Sequence, residues 1–495
     1  MIPSVPERST RVADGMPSAR FRARLLAAVL SVVPVIVAAP AAMARGDAAE
    51  RPNIIFFIAD DLGVGDVRYL REGYFETPNI DRLAAQSVSF SQAYVTAAVC
   101  SPSRAALHTG RYQARFGHDF NPGSAADIVQ MALPASERSI AERIKAAGYR
   151  TGLIGKWHLE NSQRQSSPLS RGFDYYFGFA SGGNYILNLR DGDQTIKVEG
   201  ERDRDVRSQG FSRQGTRVEI DDYKTDVITD EAVRYIEANR SAEEPYFLVV
   251  AHHAPHVPLE ATKKYLDRVV NVADPMHRVY AAMATALDDG LGKVLDAADA
   301  SGSRRSTMVV FLSDNGCPEY ASAACSNAPY SGFKRELREG GLRTPLLIRW
   351  PDHKAWAGRK VGQPVSSLDA VASMVVAAGL SSQLGELDGV DLLPAVRSGR
   401  TPRTRIFWRA GTDYAVREGD WKLVVTSRAD GSPATFLFDL KADPKETRDL
   451  SAREPARVRR LTEAFAVWDK GNIPSRMQGR LHDSRIAGQD VKVRY

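Results

Sequence analysis

Short apolar runs alternate with amphipathic segments between residues 50 and 380, and this alternation constrains the fold more than any other feature. The apolar runs predict buried strands at 53–59, 151–155, 247–251, 308–312 and 346–350. Segments with a helical period predict helices at 80–86, 137–147, 226–239, 279–298 and 368–378. Strands that alternate with helices predict an α/β fold, in which helices sandwich a large, mostly parallel sheet.

The pattern changes after about residue 400. Short strand candidates at 405–408, 414–417, 422–426 and 434–439 are separated by turn residues, and a helix is predicted at 454–468. Closely spaced strands with short turns predict an antiparallel sheet. We therefore predict a large α/β domain over residues 50–395 and a smaller C-terminal α+β subdomain over residues 400–495.

The first 44 residues have the features of a secretory signal peptide. Three arginines precede an apolar run over 25–42, and Ala42-Met43-Ala44 resembles a cleavage site. A retained membrane anchor is the alternative, but Pro34 and the small residues at the end favour cleavage after Ala44. No later stretch is apolar for long enough to span a bilayer. We expect an exported protein, periplasmic or secreted, without stable membrane insertion.

Charge and cysteine content narrow the classes of function further. The chain of 495 residues has a net charge of +6, and half of it lies in the predicted signal peptide, so nucleic-acid binding is not expected. Three cysteines are too few for a disulfide-built scaffold. Cys317 and Cys325 are near enough in sequence to pair in an oxidising compartment, but the sequence leaves this open. Cys100 is then the odd cysteine.

Polar clusters follow four of the predicted strands directly. They occupy 60–61, 156–158, 252–256 and 313–316. Ligands of open α/β sheets bind beyond the carboxyl ends of the strands, so these clusters are expected to meet in one site.

Two of these clusters offer only oxygen ligands. Asp60, Asp61, Asp314 and Asn315 suit Ca²⁺ or Mg²⁺ rather than zinc, which prefers Cys or His. One Asp-Asp pair alone is more typical of a helix cap or a turn. Two pairs favour a cation, because clustered carboxylates repel one another without one.

A second unusual segment runs from Cys100 to Arg104. Pro102 and the helix-forming residues after it predict a helix that starts there. Cys100 would lie at the helix N-terminus, which favours anions. Arg104 would direct its guanidinium, which can donate two parallel hydrogen bonds, toward the same place. A buried cysteine beside a capping serine fits this segment alone equally well.

These segments together resemble the type I, formylglycine-dependent sulfatases of the alkaline-phosphatase superfamily. The resemblance covers nearly the whole predicted exported chain, and the motif around Cys100 is its most specific part. The matching segments are 60–63, 100–104, 109–111, 155–159, 255–258, 313–316, Lys334 with 339–345, and 437–446.

The resemblance implies a modified residue and a metal ion. A separate maturation enzyme would convert Cys100 to formylglycine before the chain finishes folding. One Ca²⁺ would be held by Asp60, Asp61, Asp314 and Asn315, with the modified Cys100 as a further ligand.

The resemblance also implies the catalytic groups. Arg104 would steady the formylglycine hydrate, and Lys156 and Lys334 would hold the sulfate oxygens. His158 and His256 would transfer protons, with His256 or Lys334 serving the leaving group.

Four further residues are weaker candidates. Ser181 and Asn184 lie where the family often completes its pocket, although no motif identifies either. His252 and His253 are expected to support the site or the core.

The expected activity is hydrolysis of an aryl or carbohydrate sulfate monoester to an alcohol and inorganic sulfate. Rival hypotheses are a phosphodiesterase or phosphonate monoester hydrolase of the same superfamily, and a catalytically silent protein that binds sulfated glycans. A plain cysteine hydrolase ranks last, because it does not explain the two acidic pairs. The sequence leaves the substrate, exo or endo action and the oligomeric state open; residues 160–223 are the candidate recognition insert.

Overall fold

The paired strands at the centre of the molecule follow the predicted pattern closely. The computed structural model describes residues 51–70, 75–122, 124–161, 163–183, 190–196, 210–350, 353–399 and 403–495. The predicted signal peptide and the candidate Asn184 lie outside these residues. Of the helices in these ranges, none combines the length and the apolar character that crossing a membrane requires.

Strands and helices alternate up to α9, after which strands dominate. The strands are β1 Asn53–Ala59, β2 Val88–Phe90, β3 Ala93–Tyr94, β4 Arg150–Lys156, β5 Tyr175–Phe179, β6 Gln194–Ile196, β7 Phe211–Arg213, β8 Thr216–Val218, β9 Tyr246–Ala251, β10 Leu259–Ala261, β11 Thr307–Ser313, β12 Leu346–Arg349, β13 Lys360–Val361, β14 Val365–Ser366, β15 Arg405–Ala410, β16 Asp413–Glu418, β17 Trp421–Ser427, β18 Pro433–Asp439, β19 Leu481–Ile486 and β20 Gln489–Arg494. The helices are α1 Pro78–Gln86, α2 Cys100–Thr109, α3 Ala125–Gln130, α4 Ile140–Ala146, α5 Lys224–Asn239, α6 Lys263–Leu266, α7 Pro275–Asp299, α8 Glu339–Leu342, α9 Ser367–Ala377, α10 Leu392–Ser398 and α11 Pro455–Asp469.

The main sheet has ten strands in the order β13-β2-β12-β11-β1-β9-β4-β5-β7-β8. Its centre, from β11 to β5, is parallel, whereas β12 and β7 join it antiparallel. The central register pairs Ala59 with Ser313, and Ala251 with both Ile58 and Gly155. Four parallel strands therefore end at the same level, which confirms that their polar continuations share one edge.

Both faces of the sheet are covered. Along β1, side chains alternate between two core clusters, with Ile54 and Phe56 in one and Ile55 and Phe57 in the other. The first cluster is completed by α2, α4 and α9, and the second by α1, α5 and α7. An all-apolar strand has to be covered on both sides, which confirms the predicted sandwich.

A second sheet follows, with antiparallel pairing throughout. It runs β15-β16-β17-β20-β19, and β18 also pairs with β17. The hairpin of β19 and β20 was not predicted from the sequence. Residues Glu50–Tyr495 form one compact unit, and the division at 395–400 stays a prediction.

Buried polar contacts join the second sheet to earlier segments of the chain. Trp408 Nε1 donates to Val95 O at 2.7 Å, and Arg409 Nε lies 2.9 Å from Asp119. Lys422 Nζ lies 2.9 Å from Glu339 and from Glu446, and all three side chains are fully buried. A buried ion pair contributes most visibly when one partner is removed, because the remaining charges are then uncompensated.

We predict that Lys422→Met lowers the free energy of unfolding by about 3 kcal/mol, because buried Glu446 then loses its cation and Glu339 keeps only its ion pair with Arg343. Guanidinium chloride unfolding measures this change. Lys492→Met is the matched control on the same sheet: its partner Asp483 is 82% exposed, so a loss below about 1 kcal/mol is expected. Equal losses for the two variants would contradict the role given to Lys422.

Candidate functional site

Every predicted site residue that the structure describes lies at the carboxyl edge of the main sheet. Asp60 follows β1, Asp314 follows β11, and Lys156 ends β4. Cys100 begins α2, two residues earlier than the predicted start at Pro102, and the predicted position of Cys100 at a helix N-terminus is confirmed.

The backbone conformation is unusual at several of these residues, just beyond the strands that precede them. Asp61 has φ 66° and His158 has φ 61°, a left-handed conformation that side chains rarely adopt. Gly155 precedes Lys156 at φ 112°, and a Cβ there would lie 1.9 Å from Ala251 O. Only glycine fits this approach of β4 to β9. Such strain persists where surrounding contacts enforce it, and it clusters at functional sites.

Three carboxylates lie at the centre of the site. Asp60, Asp61 and Asp314 are each fully buried. Asp61 N donates to Asp314 Oδ1 at 3.3 Å, so the two acidic clusters are in direct contact. Burial raises the pKa of Asp314 to about 6, and the negative charge of Asp60 adds to this effect. The cluster therefore needs nearby positive charge.

Three cations of the chain contact these carboxylates. Arg104 Nε lies 2.8 Å from Asp314 Oδ2, and the ammonium of Lys156 contacts Asp60. Lys334 Nζ lies 2.7 Å from Asp61 Oδ1. Burial alone would lower the pKa of Lys334, but the carboxylate of Asp61 more than offsets this and holds the pKa well above its usual value. Lys334 is therefore a cation at any physiological pH.

One oxygen among the candidate metal ligands is left without a donor. Asn315 Nδ2 donates to Asp61 Oδ1 at 2.5 Å, whereas Asn315 Oδ1 is buried and accepts no hydrogen bond within the described residues. A buried amide oxygen without a partner is costly, and a hard cation would satisfy it. Atoms of Asp60, Asp61, Cys100 and His256 that can bind a metal lie within 4.8 Å of one another. His256 was predicted only as a proton-transfer group, so its position in this set is new.

The environment of Cys100 disfavours a simple thiolate. Its Sγ lies 3.6 Å from Asp60 Oδ1, and the residue is 1% exposed. Burial raises the pKa of the thiol to about 12. A reactive cysteine normally has a lowered pKa. The unmodified side chain is therefore a poor nucleophile.

The two proton-transfer candidates are neutral imidazoles. Burial, followed by the charge of Lys156, holds the pKa of His158 well below its usual value. Burial and the charge of Lys334 do the same for His256. His256 Nε2 lies 3.6 Å from Asp61 Oδ2, and its Nδ1 lies 2.5 Å from Val257 O.

Of the weaker candidates that the structure describes, His253 and Ser181 border the site, whereas His252 packs in the core. His253 Nδ1 lies 3.9 Å from Asp60 Oδ2, whereas His252 packs against Phe57 with ring centroids 5.0 Å apart. Ser181 Oγ donates to Gly183 O at 2.9 Å. A Cβ on Gly182 would lie 2.6 Å from His158 Nε2, so this short segment covers the imidazole.

Three neighbours of the site were missed by the sequence analysis. Tyr320 OH donates to Asp61 Oδ2 at 3.3 Å. Lys224 is buried, with Nζ 4.6 Å from the ring centroid of Phe179, and burial lowers its pKa well below the usual value. His118 Nε2 contacts Ser101 Oγ at 2.7 Å. None of these lies in a strand-end cluster, so no sequence signal marked them.

A disulfide joins Cys317 and Cys325, which settles the pairing that the sequence left open. Tyr320 lies inside the short loop that this bond closes. The disulfide therefore helps to fix the loop that brings a phenol to Asp61.

Asp66 anchors the turn that carries Asp61. Its carboxylate accepts hydrogen bonds from Gly63 N at 3.0 Å, Ser326 N at 2.8 Å and Tyr280 OH at 2.7 Å. Burial nevertheless raises the pKa of Asp66 to about 7, against the opposing effect of the bond from Tyr280.

We predict that Asp66 makes the protein less stable as the pH rises from about 4 to about 7. The folded state keeps this proton up to about pH 7, whereas the unfolded chain loses it near pH 4. The folded state binds more protons between these values, so the free energy of unfolding falls there, by at most about 1.4 kcal/mol per pH unit.

Urea unfolding at a series of pH values tests this prediction. Asp66→Asn should flatten the decline relative to the unaltered protein. Asp267→Asn, at a carboxylate whose side chain is 56% exposed, should keep it. If the free energy of unfolding of Asp66→Asn fell with pH as steeply as that of the unaltered protein, Asp66 would not be the group responsible.

Comparison with known proteins gives consistent similarity over most of the chain. A family model described as Sulfatase matches residues 52–380. The N-acetylgalactosamine-6-sulfatase of Homo sapiens is 32% identical over 480 residues, covering 88% of this chain and 89% of that protein. Arylsulfatase J of Mus musculus is 28% identical over 475 residues, covering 86% and 77%.

A solved structure shows the same similarity in three dimensions. Ps i-CgsB in complex with k-i-k-neocarrahexaose superposes with a TM-score of 0.75 at 31% identity. The match covers 86% of this chain and 95% of that one. It therefore extends beyond residues 52–380 into the second sheet.

Proposed function

The chain belongs to the sulfatase family, with the alkaline-phosphatase-like fold, and is a sulfatase; from this premise we propose that it releases inorganic sulfate from a saccharide sulfate monoester, using a formylglycine made from Cys100 and one bound Ca²⁺. The observation that carries the proposal is the buried set of Asp60, Asp61 and Asn315 beside Cys100, faced by Lys156 and Lys334. A saccharide substrate is favoured because the human relative is named for N-acetylgalactosamine 6-sulfate and Ps i-CgsB binds an oligosaccharide.

The donor set fits a calcium ion. Asp60, Asp61, Asp314 and Asn315 would hold it through oxygen atoms, which Ca²⁺ prefers, and Asn315 Oδ1 has no competing donor among the described residues. Bound there, the ion would neutralise negative charge on a sulfate ester and on the attacking oxygen. His256 is within reach of the same cluster, and we assign it to proton transfer because imidazole is a poor ligand for calcium.

Residue 100 fits a hydrated aldehyde better than a thiol. Burial raises the pKa of the thiol to about 12, which disfavours the unmodified side chain as a nucleophile at neutral pH. A formylglycine hydrate would supply two hydroxyls on one carbon. One can attack sulfur while the S–O bond to the alcohol breaks; the other can then lose its proton, so that the C–O bond to sulfate breaks and the aldehyde re-forms without a second attack at sulfur.

The chain's cations would bind the sulfate group. Lys156 and Lys334 bring ammonium groups to opposite carboxylates of the cluster, Asp60 and Asp61. Arg104 reaches the same cluster through Asp60 and Asp314. Preorganised cations in a buried site stabilise the charge that develops in the transition state more strongly than in water.

The neutral imidazoles would move protons. His158 would accept a proton from a hydroxyl at residue 100, and His256 or Lys334 would protonate the leaving oxygen. Burial and neighbouring cations keep both imidazoles unprotonated, so His158 can act as a base without first losing a proton. Of the two candidates for the leaving oxygen, Lys334 is the one that carries a proton at neutral pH. Ser181 would line the pocket beside His158.

Export and maturation complete the proposal. A signal peptide over residues 1–44 would direct the chain to the periplasm or the exterior, and a formylglycine-generating enzyme would be its partner before folding. A disulfide between Cys317 and Cys325 is consistent with an oxidising compartment.

We predict that the purified full chain releases inorganic sulfate from members of a panel of sulfated saccharides, and that Cys100→Ala abolishes release. Ion chromatography of sulfate measures this directly. Mass spectrometry of the peptide containing residue 100 should show formylglycine. Intact cysteine from a host that matures sulfatases, with no sulfate released, would favour a silent glycan-binding protein. A large preference for the phosphate ester over the sulfate ester of one alcohol would favour a phosphoester hydrolase.

We also predict that Ca²⁺ stabilises the protein through Asn315. Removal of Ca²⁺ with a chelator should lower the melting temperature, and adding it back should restore the value. Asn315→Ala should weaken calcium binding at least about tenfold, because a direct ligand is lost and even residues that only support a metal ligand contribute about tenfold or more. Isothermal titration calorimetry measures the affinity. Asp490→Ala, at a side chain that is 84% exposed, is the control and should bind calcium normally.

A further inference from the structure

Arg335 lies beside the candidate site and is fixed there by its backbone. It follows Lys334 and has φ 87°, the left-handed region that an arginine enters only when its surroundings enforce it. Its backbone N–H donates to Ala98 O at 2.7 Å, two residues before Cys100. The position of residue 335 relative to Cys100 is therefore set by the main chain.

Two aromatic rings flank the Arg335 guanidinium. Its Cζ lies 4.5 Å from the ring centroid of Tyr495 and 5.3 Å from that of Tyr320. Stacking on aromatic faces orients a guanidinium and leaves its N–H edge free to donate. The hydroxyl of Tyr320 donates a hydrogen bond to Asp61, so the side chain of Tyr320 connects the guanidinium of Arg335 to one of the candidate metal ligands.

The Arg335 guanidinium has no acidic partner within the described residues. Neighbouring carboxylates are already engaged: Glu319 lies 2.7 Å from His482 Nε2, and Glu336 lies 2.5 Å from Arg338. By contrast, Arg409 of the second sheet pairs with the carboxylate of Asp119. A partly buried, oriented guanidinium without a counter-charge suits an external anion.

We propose that Arg335, held between Tyr320 and Tyr495, binds a second acidic group of the saccharide whose sulfate ester is cleaved. The acidic group is a sulfate or a carboxylate, since the planar fork of arginine binds either in a bidentate manner. This inference rests on the proposed function. It narrows the substrate class to saccharides that carry a second negative charge close to the scissile sulfate.

Binding to the full chain carrying Cys100→Ala, which prevents turnover, tests the proposal. The probes are N-acetylgalactosamine 6-sulfate, N-acetylgalactosamine 4,6-disulfate, and the disaccharide of glucuronic acid with N-acetylgalactosamine 6-sulfate. Isothermal titration calorimetry should show at least one doubly charged probe binding about tenfold or more tightly than the monosulfate, the size expected for a charged hydrogen bond. The preferred probe identifies the acidic group as sulfate or carboxylate.

Variants at the subsite separate this role from general stability. Arg335→Gln should remove the preference and leave the Kd of the monosulfate unchanged. Arg335→Lys should keep part of the preference, because the charge remains but the fork is lost. Tyr495→Leu removes one ring and should reduce the preference without changing the charge. Arg485→Gln, at a side chain that is 71% exposed, should bind every probe as before.

Several outcomes would overturn the subsite. The subsite would be refuted by equal affinity for all three probes or by the absence of binding of any probe. It would also be refuted by an Arg335→Gln variant whose affinity falls equally for all three. Sulfate release by the chain with Cys100 intact is measured separately. A preference that depends on Arg335 without any sulfate release would refute the proposed function and keep the subsite, whereas sulfate release without the preference would refute the subsite alone.

Discussion

Mutual repulsion among three buried carboxylates is the constraint around which the site is organised. Asp60, Asp61 and Asp314 are removed from water at the carboxyl edge of the main sheet. Neighbouring carboxylates without water around them repel one another unless cations lie among them. Three chain cations reach the cluster from separate elements, β4, α2 and the segment before α8. Each element therefore has to be in place before the charges balance, which couples folding of the large sheet to assembly of the site.

The parts of the fold and site that were predictable depend on local pattern. Each of the five strands predicted in the first domain was found within one residue of its predicted ends, because fully buried strands leave continuous apolar runs. The polar clusters could be placed together because parallel strands end at one edge. The placement of Asp60 beside Cys100 follows from this rule together with the helix start signal near Pro102.

The residues and elements that the sequence did not predict depend on contacts between distant segments of the chain. Tyr320 reaches Asp61 across 259 residues, and Lys224 enters the site from the first turn of α5, where it resembles any helical lysine. In β19 only the end residues Leu481 and Ile486 are apolar, so the first strand of this hairpin gives little apolar pattern from which to predict it. The left-handed backbone conformation of Asp61 and His158 could not be predicted from the sequence either, because neither residue type requires it. Tertiary packing imposes these features, so no local pattern encodes them.

The burial of residue 100 has a consequence for the order of events during biosynthesis. The segment just before it, at Tyr94 and Val95, is bonded to Arg417 and Trp408 of the second sheet, which the ribosome makes last. Under the proposed maturation, the enzyme that modifies Cys100 would act before these strands dock, while the stretch around Cys100 is still an extended peptide. After they dock, that access closes. On the same proposal, a chain that folds before Cys100 is modified would keep a buried thiol and stay inactive.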